Sequence, residues 1–166
     1  DLREKIHFGA ELWRDGKGWS PSRPAGVTDE DIIEIVKDTE LKSKSFIIEE
    51  IKKIYGEKWW EDGVPDIVKN VIDSHIKDHL KKVPYEQDKI NLYTNEKKFE
   101  LYSSSFCLKE VVKEEKNWKV FSSSFGDVEY MSSQFKSLEN IRNSYIGHDE
   151  RKEEVGEIEK NLGYWG

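Results

Sequence analysis

An arginine, an asparagine and a histidine lie close together near the end of this chain, at Arg142, Asn143 and His148. A guanidinium binds phosphate through a rigid fork of donors, and an imidazole can move a proton near neutral pH. The amide of Asn143 can donate to an oxygen or orient its neighbours. Together these residue types predict metal-independent cleavage of RNA. His148 would activate the 2'-hydroxyl or protonate the leaving oxygen, and Arg142 would stabilise the charge on phosphorus.

The spacing of Arg142 and His148 limits how the two can meet. They are six residues apart, which places them about 240° apart around a straight helix. Either the helix breaks at Gly147 and swings His148 round, or two copies of the helix face each other and share the site. The alternative interpretation is structural: Arg142 forms a cap or a salt bridge near the helix end, and His148 interacts with the helix dipole.

Two further histidines and one cysteine could also do chemistry. His75 and His79 are four residues apart, the spacing of paired metal ligands on one helix face. No third ligand can be identified, and no glutamate directly follows His75, so we interpret them as a partly buried or surface pair. We expect neither a metal ion nor a cofactor. Cys107 is the only cysteine and is expected to be a small buried side chain rather than a nucleophile.

The composition is typical of one globular domain with a highly charged surface. The 166 residues are 36% hydrophobic and 37% charged, with a formal net charge of −7, which argues against sequence-independent coating of nucleic acid. The single cysteine, the lack of a signal peptide and the lack of a membrane span of roughly 20 residues favour a cytoplasmic protein without a membrane partner. Because the chain starts at Asp1 without a methionine, we expect it to be part of a longer protein.

Helical periodicity dominates the chain after a loop rich in glycine and proline at 16–26, which divides an N-terminal arm at 1–27 from a helical domain at 28–166. Helices are predicted to begin near Thr28, near Glu40 and at Pro65, and the last long helix is predicted to begin at Asp127. That last helix has an inward apolar stripe, with Arg142 and Asn143 off it. The stripe comprises Met131, Phe135, Leu138, Ile141 and Tyr145.

Residues 84–104 are the least helical part of the sequence. Apolar and polar residues alternate weakly around Thr94-Asn95-Glu96, which favours a short β-hairpin near 88–102. The expected fold class is therefore mainly α, a helical bundle with this one short hairpin inserted.

The run from Ile141 to His148 resembles the signature of the HEPN family, named for higher eukaryotes and prokaryotes nucleotide-binding. That signature is an arginine, usually followed by a polar residue, and then a histidine after a short gap. Further similarity to one HEPN subgroup, often appended to larger proteins with ATPase or nuclease domains, extends over roughly residues 40–150. It is carried by Tyr55-Gly56-Glu57-Lys58-Trp59-Trp60, by Val64-Pro65, and by the segments 106–112 and 118–121.

The resemblance implies an all-helical bundle that forms a homodimer, with the paired motif helices making a composite cleft. It implies metal-independent endoribonuclease activity, in toxin–antitoxin, phage-defence or RNA-processing settings. Arg142 and His148 would be catalytic and Asn143 supportive. The implied partners are RNA, a second copy, and a fused or antitoxin partner domain. Many family members keep the fold and lose the activity, so the alternative is a catalytically silent helical dimerisation or interaction module of a larger multidomain protein.

Overall fold

The computed structural model describes residue 26 and residues 28–145, and these residues confirm a mainly α fold without strands. A 3-10 turn and a π turn connect the first two helices at Gly56–Lys58 and Trp59–Gly63, and a second 3-10 turn lies at Pro84–Glu86. In the described part of the chain, no helix is both long and apolar enough to cross a membrane. The α-helices are α1 (Asp29–Tyr55), α2 (Asp66–Lys82), α3 (Gln87–Asn91), α4 (Asn95–Tyr102), α5 (Ser105–Lys113), α6 (Glu115–Phe125) and α7 (Val128–Tyr145).

Helix α1 runs unbroken where the sequence predicted two helices. Thr28 caps its start in a capping box: the Asp31 amide donates to the Thr28 hydroxyl over 3.2 Å, and the Thr28 amide donates to the Asp31 carboxylate over 2.9 Å. Gly56 ends it at a φ of +62°, in the left-handed region that glycine adopts without strain. The two predicted segments join because neither glycine nor proline occurs between them.

The hairpin predicted near 88–102 is wrong, because α3 and α4 occupy this part of the chain. Thr94 begins α4, since its hydroxyl accepts a hydrogen bond from the Lys97 amide over 3.1 Å. Within α4, five of the last six residues are buried, from Lys97 to Tyr102. A helix that is buried on most sides has no clear apolar stripe, and its sequence therefore resembles a weak alternation.

The centre of the bundle is formed by α1, α5 and α7. Helix α7 packs along α5 and also contacts α1 and α6. Its predicted inward stripe is confirmed from Met131 to Ile141, since all four apolar side chains are buried. In the π turn that packs against α1, Trp59 is buried between Trp60 and Phe99, with its ring centroid 5.8 Å and 6.4 Å from theirs in edge-to-face contacts.

A fully buried asparagine joins the α1–α2 connection to α6. The Asn117 amide donates to the carbonyls of Gly63 and Val111 over 2.8 Å and 2.9 Å, and its oxygen accepts from the Tyr55 hydroxyl over 2.7 Å. Burial raises the pKa of Tyr55, so the hydroxyl stays protonated and able to donate. Only glycine fits at position 63, because a Cβ there would lie 2.7 Å from the Tyr55 ring. We call these four residues the Asn117 cluster.

Candidate functional site

Arg142 lies in the last turn of α7, and its side chain enters the bundle. The residue is 9% exposed, and its Nη1 lies 3.5 Å from Oε2 of Glu40 on α1, which is 4% exposed. The prediction that Arg142 lies off the inward stripe is wrong. It follows Leu138 by four residues and therefore shares the inward side of α7.

The other two predicted site residues are placed differently. Asn143 is exposed, as expected for a residue off the inward stripe, so it does not share the burial of Arg142. His148 lies outside the described residues. The salt bridge that the structural alternative predicted for Arg142 is present. Of the three predicted site residues, Arg142 is therefore the one that the structure places in buried contact with another charged side chain.

Sequence reasoning missed the buried charges on α1 that accompany Arg142. Lys44 lies one turn after Glu40, is also buried, and donates through Nζ to the backbone carbonyl of Glu100 over 3.0 Å. That carbonyl belongs to the last turn of α4, where the helix dipole favours a cation. A signal was available, because Glu40 and Lys44 continue the inward spacing between Val36 and Ile47.

Glu40, Lys44, Glu100 and Arg142 form what we call the buried seam, between α1, α4 and α7. Burial raises the pKa of the Glu100 carboxyl, and the nearby Glu96 raises it further, whereas Lys44 and Lys52 lower it. Lys52 is itself held by Glu96, with Nζ 2.8 Å from Oε1. The seam therefore combines the buried Glu40–Arg142 ion pair with a second carboxyl, that of Glu100, which resists ionisation.

Glu100→Gln is expected to raise the midpoint of thermal unfolding at pH 7. The pKa of Glu100 is raised in the folded state. The contribution of this carboxyl to stability is therefore complete below its unfolded-state pKa of about 4.3, and it is lost as the pH rises through its folded-state pKa. Glutamine carries no charge at any pH, so the advantage of the variant should shrink as pH falls toward about 4. Thermal unfolding across this range checks it, with the exposed Glu57→Gln as control. A variant less stable than wild type at pH 7 would contradict the assignment.

The two spaced histidines bind different protein groups. Nδ1 of His75 lies 2.7 Å from the backbone carbonyl of Tyr102, so this nitrogen carries the proton and donates. Nε2 of His79 lies 2.5 Å from a carboxylate oxygen of Glu86. Both rings are half-buried, which confirms the interpretation as a partly buried pair. Within residues 28–145, no group of three or more potential ligands is arranged for a metal ion.

Cys107 is fully buried on α5, as the sequence predicted. Burial raises the pKa of its thiol, and a hydrogen bond from Ser104 opposes this shift. A nucleophilic cysteine needs a lowered pKa and access to a substrate. The thiol therefore serves as a small packing group.

The chemistry that the described residues can supply is concentrated at the end of α7. A guanidinium can bind an oxyanion, and that of Arg142 lies against the carboxylate of Glu40. In the sequence, His148 follows the last residue of α7 by three positions. Comparison with protein-family models, with curated proteins and with solved structures gave no significant match.

Proposed function

We propose that this chain is a HEPN-like helical domain that acts as a metal-independent endoribonuclease. Arg142 binds the scissile phosphate, and His148 is the general acid or base. The observation that carries the proposal is the position of Arg142. It is the only arginine between residues 28 and 145, and it lies in the last turn of α7, six residues before His148 in the sequence.

The proposed active form is a homodimer in which two copies of the α7 end share one cleft. Such an arrangement supports the chemistry because it removes the need for Arg142 and His148 of one chain to meet on one helix face. The proposed partners are RNA, the second copy and a fused or antitoxin domain, in the cytoplasm. With a net charge of −7, RNA is bound in this one cleft rather than along the whole surface.

Incubation with RNA in the presence of a chelator tests the function. The wild-type protein is expected to leave 2',3'-cyclic phosphate ends and to spare DNA of the same sequence, because DNA lacks the nucleophilic 2'-hydroxyl. His148→Ala is expected to lower the rate by about 10²-fold or more, since proton transfer contributes on that order. His79→Ala is the matched control, because His79 lies on α2 and its ring is bound to Glu86. Equal cleavage rates for wild type and His148→Ala would contradict the proposed role of His148 as general acid or base.

The second candidate is a catalytically silent module that dimerises or binds a neighbouring domain. Two observations favour it: Arg142 is buried in an ion pair, and Tyr85 and Leu92 are 81% and 85% exposed on either side of α3. Large exposed apolar side chains suit a protein contact. Sedimentation of wild type, Arg142→Ala and the double variant Tyr85→Ser/Leu92→Ser distinguishes the two. A dimer that survives Arg142→Ala, in a protein that never cleaves RNA, supports the silent module.

A further inference from the structure

Glu40 occupies the guanidinium that a phosphate would have to bind. Nη1 of Arg142 lies 3.5 Å from Oε2 of Glu40, and both side chains are at least nine-tenths buried. Carboxylates and phosphates use the same forked donors of arginine. With so little of the guanidinium exposed, a phosphodiester of RNA and the Glu40 carboxylate compete for one group.

Charge strengthens this competition. The Glu40–Arg142 pair is formally neutral, so an approaching phosphodiester gains little from Arg142 while it is repelled by Glu40. Repulsion between like charges is larger in a buried, low-dielectric place than in water. The neighbouring cation on α1 is Lys44, whose Nζ is directed at the carbonyl of Glu100 at the end of α4.

We propose that the Glu40–Arg142 ion pair is an autoinhibitory contact, and that RNA binds when Glu40 releases Arg142. The described chain is then the closed state, and the phosphodiester is the ligand that displaces the carboxylate. This inference rests on the proposed function. It adds to that function a regulatory residue, Glu40, which contacts Arg142 rather than the reacting atoms.

The rate of modification by phenylglyoxal, a reagent specific for arginine, measures directly whether Glu40 blocks the guanidinium of Arg142. The arginines nearest in sequence are Arg23 and Arg151, so proteolytic mapping reports Arg142 separately. Arg142 is expected to react slowly in wild type and about tenfold faster or more in Glu40→Gln, which has nearly the same shape and no charge. A non-cleavable 2'-O-methyl RNA oligonucleotide should slow the reaction of the variant again. Glu96→Gln, which removes a half-exposed ion pair between α1 and α4, should react like wild type.

Affinity for the same oligonucleotide gives a second readout. Glu40→Gln is expected to bind it about tenfold more tightly than wild type, and Glu40→Asp, whose shorter carboxylate keeps the charge, should lie between the two. If both variants fold and show wild-type reactivity and affinity, or if Glu40→Gln binds RNA more weakly, the inference is overturned. It is also overturned if neither variant folds, because Glu40 is then structural.

The two proposals can fail separately. Arg142 could be modified faster in Glu40→Gln while no variant cleaves RNA. This result would support the proposal that Glu40 blocks Arg142 and would contradict the proposed nuclease function. Alternatively, the modification rate of Arg142 could be unchanged in Glu40→Gln while RNA cleavage is lost in Arg142→Lys. This result would overturn the proposal that Glu40 blocks Arg142 and would leave the proposed nuclease function standing.

Discussion

Arg142→Ala is expected to lower the free energy of unfolding by about 3–5 kcal/mol and to abolish RNA cleavage. The stability loss arises because Glu40, which is 4% exposed, would keep a buried charge without its guanidinium. Urea denaturation followed by tryptophan fluorescence measures it, since Trp59 lies in the core. A loss below about 1 kcal/mol would show that the pair is solvated and contributes little.

A double-mutant cycle with Glu40 separates the ion pair from the other contacts of Arg142. Replacing both residues by apolar ones, as in Glu40→Leu/Arg142→Met, is expected to recover most of the stability, because a buried pair can often be exchanged for packed apolar groups at little cost. The recovered protein should still fail to cleave RNA, since it has no guanidinium for the phosphate. Cleavage at the wild-type rate by this double variant would exclude Arg142 from the chemistry.

Asn117→Ala is expected to cost about 3 kcal/mol of stability, because each buried polar group left without a partner costs on the order of 1–3 kcal/mol. The variant removes the partner of the Tyr55 hydroxyl and of the carbonyls of Gly63 and Val111. Tyr55→Phe removes only one of these hydrogen bonds and should cost about 1 kcal/mol.

The same urea titration tests this second prediction. The control is Ser123→Ala, an exposed position on α6 whose hydroxyl hydrogen-bonds locally to Val120. It is expected to change stability by less than about 0.5 kcal/mol. If Asn117→Ala resembled that control, the Asn117 cluster would not be what fastens the α1–α2 connection to the bundle.

Local signals predicted the fold where one residue decides the geometry. Thr28 and Pro65 mark helix starts by their own chemistry, and the structure begins a helix directly after each of them. The prediction failed where burial is decided by the whole bundle. Helix α4 is enclosed on most sides, so its sequence has no stripe, and a hairpin was predicted in its place.

The candidate site was predicted only in part, for a related reason. Its residue type marks Arg142 as a candidate, but a stripe defined by apolar residues does not show that the Arg142 side chain enters the bundle. Glu40 and Lys44 also fall at inward spacing on α1, but charged residue types are rarely buried and so give no signal of burial. A buried ion pair depends on a contact between residues about a hundred positions apart, and helical periodicity does not reveal such a contact.

The most direct test of the central claim is the rate at which wild type, Arg142→Lys and His148→Ala cleave one RNA oligonucleotide in chelator, beside a copy with a single 2'-deoxyribose at the cleaved position. The account predicts that wild type cleaves the ribose substrate only, leaving a 2',3'-cyclic phosphate end, that Arg142→Lys does not cleave it, and that His148→Ala is slower by about 10²-fold or more. Cleavage of the deoxyribose copy, or equal rates for wild type and His148→Ala, would contradict it.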